Sequence, residues 1–429
     1  MNPLRAVKGM NDVLPDEASA WHRVEKAFAT TMALHGYGEI RTPYVEPTAL
    51  FVRTIGEVTD IVEKEMYSFV HRDEALTLRP EGTASAARAY VEHAVHGGEP
   101  VTRWYYMGPM FRAERPQRGR YRQFHQAGAE IFGDPGPGCD AEMIDMLVGF
   151  LASIGIADAE VLVNCLGSND ARARYKDALV RYLEPKKADL TDESRKRLET
   201  NPLRILDSKS PKDKEAVAQA PPLTEFLDDA DRAHFDALRK NLDALGTPYK
   251  VDARLVRGLD YYTRTLFEIK GATAILGAGD TLLGGGRYDG MVKELGGPSV
   301  PAIGFAAGLE RLILASEAAK AKPTVDAVVM PLGENAVGAG LVLGRELRRA
   351  GISADVDARG ASLKSQLRRA NGLGARVALV LGDDEIANGK VQVKDLDGRA
   401  QTDVARADVL REVDRIRATP RTPSPGGAS

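Results

Sequence analysis

Two aromatic-rich runs, Arg103 to Arg112 and Tyr121 to Phe132, follow one another with only the polar segment Ala113 to Arg120 between them. Aromatic and β-branched residues favour pleated structure, so the pair predicts a long-looped hairpin. In its second strand, period-2 alternation puts Gln126, Gly128 and Glu130 on one face, the glycine leaving space for a small polar ligand. The first strand ends at Arg112, and the loop adds Arg115, Arg118, Arg120 and Arg122 with Gln117. That density of guanidinium suits phosphate and nucleic-acid contact, and equally suits a solvated hairpin loop.

The surrounding sequence predicts a helix near Ala20 to His35, a turn at Gly36 to Gly38, and an exposed edge strand at Glu39-Ile40-Arg41-Thr42-Pro43. At Glu81-Gly82-Thr83 a strand gives way to a helix starting at Thr83. The carboxylate and hydroxyl there either hold an ammonium group or cap the helix, and capping is the simpler reading. The glycines of Gly284-Gly285-Gly286-Arg287-Tyr288-Asp289 either let a ligand approach the backbone or form a tight turn, the turn being the simpler. Gly277-Ala278-Gly279 lacks the third glycine and the following helix of a dinucleotide fingerprint. A small-residue helix is expected from about Gly304 to Ala315.

Between Arg172 and Leu245 the texture turns Lys-, Asp- and Glu-rich and is broken by Pro202, Pro211 and Pro221-Pro222, which reads as a helical insertion at 172–245 within a body spanning 1–325. Lys320-Ala321-Lys322-Pro323 reads as a linker. Beyond it, apolar runs at Val325 to Met330, Ile352 to Val356 and Val377 to Leu381 alternate with helical patterns at Val337 to Ala350 and Ser362 to Ala370, the βαβ signature of a separate α/β domain at 326–419. The tail 420–429 is too polar and proline-rich to pack and is expected to be disordered.

At 429 residues, 43% hydrophobic and 28% charged, the chain can bury two or three cores and reads as a soluble multidomain protein. A formal net charge of only -3 means that a nucleic-acid partner must meet a local basic patch. The two cysteines, Cys139 and Cys165, lie in no paired ligand spacing, against both a disulfide framework and a cysteine zinc site. Residues 1–17 hold no apolar signal core, and no apolar run approaches the ~18 residues of a membrane span. A cytoplasmic protein is the expectation.

Taken together the motifs resemble those of the histidyl-tRNA synthetase family. Pro43 in its context resembles the first signature of class II aminoacyl-tRNA synthetases, Arg103 to Glu130 the second, and Gly304-Phe305-Ala306-Ala307-Gly308-Leu309-Glu310-Arg311 the third. Leu255-Val256-Arg257-Gly258-Leu259-Asp260-Tyr261-Tyr262 resembles the histidine-specific motif, supported by Leu78-Arg79-Pro80-Glu81-Gly82-Thr83 and Gly285-Gly286-Arg287-Tyr288. The resemblance spans residues 1 to about 420. It implies an α+β catalytic domain with an antiparallel sheet flanked by helices, a helical insertion, a C-terminal α/β anticodon-binding domain, and a homodimer built through the Pro43 region.

The reaction so implied joins L-histidine to ATP, with Mg2+, giving histidyl-adenylate and pyrophosphate, then moves the histidyl group to the 3′ end of tRNA(His). By resemblance Arg112 holds the α-phosphate and the amino-acid carboxylate, Arg311 the far end of ATP, and Arg257 the α-phosphate. Glu81, Thr83 and Gln126 are implied at the α-amino group, and Glu130 with Tyr262 at the two imidazole nitrogens. Gly82 and Tyr261 complete the implied histidine site. No protein-only metal site is implied, the magnesium travelling with ATP. Gln117, Arg115 and Arg122 are implied at the tRNA acceptor end. Arg359, Lys364, Arg368 and Arg369 supply charge in the anticodon domain, or else form an ordinary solvated helix face. The competing expectation is a synthetase-like regulatory subunit of ATP phosphoribosyltransferase. That paralogue typically lacks the C-terminal domain and parts of the histidine motif, both of which this sequence keeps.

Overall fold

A computed structural model describes residues 3–56, 59, 61–208, 210–257, 259, 261–271, 281–316 and 324–419. The expected linker at 320–323, the tail, the Gly277-Ala278-Gly279 run and two members of the histidine motif, Gly258 and Asp260, lie outside the described residues. The chain divides into a larger unit before about residue 320 and a smaller one after it.

The larger unit is organised by an eight-stranded sheet. Its order is Gly38–Glu39, Thr102–Phe111, Gln123–Phe132, Ala302–Gly308, Thr281–Arg287, Thr263–Lys270, Glu160–Cys165 and Lys250–Val251. The six inner strands pair antiparallel, while the two short outer ones pair parallel with their neighbours. The expected hairpin is the pair Thr102–Phe111 and Gln123–Phe132, with Tyr106 opposite Gly128 and Trp104 opposite Glu130. The edge strand expected through Pro43 is shorter, only Gly38–Glu39, since Thr42 and Tyr44 instead give their carbonyls to Arg79.

Helices cover the sheet through apolar stripes. Pro15–Leu34 buries Ala20, Val24, Phe28 and Met32, spaced four apart and so on one face. Phe28 meets Tyr105, Phe150 and Phe305 edge-on at 5.4–6.1 Å, an arrangement that adds ~0.5–1.5 kcal/mol per pair beyond area burial. The segment expected as an insertion is helical at Asn169–Leu183, Asp192–Thr200, Pro211–Ala216 and Asp229–Leu245. Its Leu179, Leu183, Leu238 and Leu242 share one apolar core with Phe150, Val163 and Phe267 of the sheet body.

Two local expectations fail. The glycines 284–286 lie in the strand Thr281–Arg287, not in a turn, because the strands on either side approach too closely for side chains. A Cβ at Gly285 would stand 2.2 Å from the Gly304 carbonyl oxygen, and one at Gly286 2.4 Å from that of Thr265. The helix expected from Gly304 begins only at Leu309; Ala302–Gly308 is an inner strand. Its small residues are there for close sheet packing rather than for helix propensity.

The smaller unit has a five-stranded sheet in the order Ala354–Val356, Ala327–Pro331, Val377–Leu381, Lys390–Asp395 and Ala400–Ala405. The first three pair parallel, with Glu334–Arg349 and Leu363–Gly372 as the crossover helices that the alternating pattern predicts. The antiparallel pair at 390–405 and the helix Val409–Ala418 lie beyond what the sequence pattern predicts.

Candidate active site

A cavity of about 180 Å³ opens over the inner strands of the larger unit. Glu81 and Thr83 enter from the start of the helix Thr83–Glu92, Arg112 from the end of the first hairpin strand, and Gln126 from the second. Arg257, Tyr261 and Tyr262 come from the segment before the strand Thr263–Lys270, and Tyr288 follows the glycine strand. Segments far apart in sequence thus converge because antiparallel neighbours bring Gly128, Ala306 and Gly284 side by side. The floor is kept low by Gly284, Gly304 and Ala306.

One wall is acidic. The Glu81 carboxylate accepts the backbone N–H groups of Thr83 and Ala84, each at 2.8 Å, so it does cap the helix while also facing the cavity. Burial nonetheless pushes its carboxyl up from the ordinary value. Beside it Gln126 carries an amide oxygen that is buried and has no hydrogen-bond partner among the described residues. A buried acceptor left so costs ~1–3 kcal/mol, which an incoming donor recovers.

Cations line the same cavity. Arg112 donates its Nε to the Pro80 carbonyl oxygen at 2.8 Å and lies over the Phe124 ring at 5.3 Å. Arg257 pairs with Glu268 at 3.3 Å, and its guanidinium occupies the space above Gly284, where a Cβ would stand 1.7 Å from its Nη1. Arg311 lies outside the cavity wall. Its Nε donates to the Gly119 carbonyl oxygen at 3.3 Å and Nη1 to that of Thr281, tying the helix Leu309–Ala315 to the hairpin loop and the glycine strand.

Glu130 is fully buried behind the cavity. It accepts the hydroxyls of Tyr106 at 2.9 Å and Tyr288 at 2.5 Å, and burial pushes its carboxyl up to about 8. The room over Gly128 expected for a ligand is filled by Tyr106, whose ring would meet a Cβ there at 2.6 Å; Gly82 is likewise pressed against the same ring, at 2.2 Å. Tyr262 packs its ring on Gly286 beside Tyr261, the two rings 4.6 Å apart, and burial raises both hydroxyls. Sequence reasoning misses Tyr106 and Tyr288 as site residues. The signals are there: a tyrosine in register with a glycine, and the period-2 continuation of the glycine strand.

The loop residues fall away from the cavity. Arg115, Gln117 and Arg118 are exposed, and neither arginine has an ion pair among the described residues. Arg120 faces Glu114 at 3.8 Å. Arg122 is engaged: its backbone N–H donates to Gly9, and its side chain to the Glu114 and Lys8 carbonyl oxygens. In the smaller unit Arg359 is held by Asp357 and Arg369 by Asp355, leaving Lys364 and Arg368 exposed and without ion pairs among the described residues.

The model of the histidyl-tRNA synthetase family matches residues 9–312, and that of an anticodon-binding domain matches 326–416. A curated histidine–tRNA ligase of Sorangium cellulosum is 56% identical over 99% of this chain and 98% of its own length. The chain belongs to the histidyl-tRNA synthetase family. A second histidine–tRNA ligase, of Geobacter metallireducens, is 47% identical over 94% of this chain and 97% of its own. The crystal structure of the apo histidyl-tRNA synthetase of S. aureus superposes with a TM-score of 0.80 at 36% identity, covering 96% of this chain and all of that one. The expected α+β class II fold is therefore present, and the chain is an aminoacyl-tRNA ligase of a family that uses histidine, ATP and tRNA. The regulatory-subunit alternative has less support, since relatives matched over nearly the whole length are named as ligases. No helix among the described residues is long and apolar enough to cross a membrane.

Proposed function

We propose that this cavity carries out histidine activation, with the histidyl group then passed to the 3′ end of tRNA(His). The observation that carries this is a single cavity lined by Glu81, by a Gln126 amide oxygen without a partner among the described residues, and by the cations Arg112 and Arg257. The α-amino group is assigned to Glu81, Thr83 and Gln126, with Gly82 allowing the Tyr106 ring to back them. Acceptors suit an ammonium, and its arrival satisfies the unpaired amide oxygen. The imidazole is assigned to Tyr262 and Glu130 with Tyr261 behind them. Tyr288, which lines the cavity and donates to Glu130, gives that carboxyl its route to the ring.

Arg112 and Arg257 are assigned to the α-phosphate and the amino-acid carboxylate, and Arg311 to the far end of ATP. Their work is alignment and charge stabilisation, the terms that dominate transfers at phosphorus. Gly284 in the floor fits a nucleotide, since a Cβ there would collide with the Arg257 guanidinium that is to meet the phosphate. Mg2+ is proposed to arrive on the phosphate oxygens of ATP, its preferred hard ligands. Gln117, Arg115 and Arg122 are assigned to the tRNA acceptor end, Arg122 by anchoring the loop rather than by free charge.

We further propose the domain division 1–325, with 172–245 as a helical insertion, 326–419 and the tail 420–429, and a cytoplasmic location, which suits two buried free thiols. A homodimer is proposed through the three-stranded sheet of Val45–Pro47, Glu74–Leu78 and Tyr67–His71, where Tyr44, Phe69 and Val70 stand exposed.

The test is histidine-dependent ATP–pyrophosphate exchange, followed by charging of tRNA with labelled histidine. Arg257→Ala is expected to lower exchange by about 10²–10³-fold with the fold intact. Exchange with another amino acid, or an Arg257→Ala variant as active as the parent, overturns the assignment.

A further inference from the structure

Directly after Tyr262 the backbone takes a conformation that the sequence gives no reason to expect. Arg264 has φ +47°, the left-handed region that costs a non-glycine residue roughly 1 kcal/mol or more. The strand register breaks at the same place. Gly286 faces Leu266 and Arg287 faces Thr263, so two residues of one strand have no counterpart on the other. Such bulges re-aim side chains beside active sites. Here the bulge lets the Tyr262 ring lie on Gly286 in the cavity wall, while Thr265 turns to the buried Asp140 carboxylate, which it meets at 2.6 Å.

A strained residue persists only if its surroundings hold it. What holds Arg264 comes from residues 166–245, the turn after the strand Glu160–Cys165 and the helices that follow it. Its N–H donates to the Gly167 carbonyl oxygen at 2.9 Å, its own carbonyl oxygen accepts the Leu166 N–H at 2.7 Å, and its side chain pairs with Asp231 at 3.2 Å. Asp231 lies in the first turn of the helix Asp229–Leu245 and is fully buried; its other oxygen accepts the Ser168 N–H at 2.8 Å. Arg264 is the cation paired with it among the described residues, so removing either partner leaves a buried carboxylate or a strained arginine uncompensated. From the same segment, Arg172 donates to the Tyr262 carbonyl oxygen.

We infer that Arg264 and Asp231 are positioning residues for histidine recognition: the ion pair locks the bulge that aims Tyr262 into the cavity. This rests on the proposed role of the cavity in binding histidine. Neither residue lines the cavity, so the pair acts through Tyr262 and should bear on the amino acid and not on ATP.

The experiment is steady-state ATP–pyrophosphate exchange, with histidine and ATP varied separately, on the full chain, Asp231→Asn, Arg264→Asn, the double variant and Arg264→Lys. Asparagine tolerates positive φ, so Arg264→Asn removes the cation while sparing the backbone. In both single asparagine variants KM for histidine is expected to rise about tenfold, with kcat and KM for ATP within about twofold. The double variant should be no worse than either single one, and Arg264→Lys should restore most of the loss. A histidine KM within about twofold of the parent, or an equal rise for histidine and ATP, overturns the inference even if the melting temperature drops. If Asp231→Asn does not fold, Arg264→Asn decides alone. A parent protein without histidine-dependent exchange would instead overturn the proposed function of the cavity.

Discussion

At the scale of single residues, Glu130 shows how alternation can single out a position while its surroundings stay unforeseen. Alternation places its carboxylate on the face shared with Gln126, but no spacing rule shows that Tyr106 and Tyr288 both donate to it, because one comes from the neighbouring strand and the other from the end of the glycine strand. Burial raises its pKa from the ordinary 4.5 to about 8. A carboxyl that holds its proton more tightly folded than unfolded stabilises the fold fully below about 4.5, and that contribution is lost as pH rises through about 8. Between pH 5 and 8 the histidine-free protein should therefore lose stability to Glu130, at a rate approaching ~1 kcal/mol per pH unit. Glu130→Gln, which cannot ionise, should flatten that part of the curve. Melting temperatures of parent and variant across this range check it, and parallel curves would falsify the burial account.

At the scale of elements, the long periodic stretches are legible in the sequence and the closely packed ones are not. The helix at Pro15–Leu34, the hairpin and the crossover helices follow from alternation and from four-residue spacing, which are properties of one segment alone. The strands Thr281–Arg287 and Ala302–Gly308 mislead because their glycines and alanines answer to neighbours far away in sequence: the Arg257 guanidinium, the Glu130 carboxylate and the opposing carbonyls. Low β-propensity is overridden by tertiary crowding. The antiparallel pair at 390–405 escapes because its outer strand Ala400–Ala405 is largely exposed and carries little apolar alternation. The roles proposed for the hairpin loop and for the cavity can be separated at this scale. Since Gln117 and Arg115 are exposed and outside the cavity, Gln117→Ala should lower kcat/KM for tRNA charging by about tenfold while leaving histidine-dependent exchange within about twofold. Equal losses in both assays would place the loop in the activation step instead.

At the scale of the molecule, a net charge of -3 leaves no general attraction for a polyanion, so affinity for tRNA must come from particular cations. The structure narrows them. Arg359 and Arg369 are neutralised by neighbouring aspartates and Arg122 is committed to backbone carbonyls, whereas Arg115, Arg118, Lys364 and Arg368 stay exposed without ion pairs among the described residues. Each phosphate neutralised releases counterions and contributes roughly 0.7–0.9 to the slope of log affinity against log salt. Four such cations, each meeting a phosphate, predict a slope of about 3 to 4 for KM of tRNA between 50 and 200 mM salt, on the order of a hundredfold weakening. Exchange without tRNA, proposed to use Arg112 and Arg257 in a recessed cavity, should change far less over the same range because burial shields those charges from screening. Replacing Lys364 and Arg368 with alanine should lower the tRNA slope by about 2, one for each cation removed. An unchanged slope would mean that the smaller unit contributes shape or base recognition rather than charge, and that its exposed cations are only a solvated helix face.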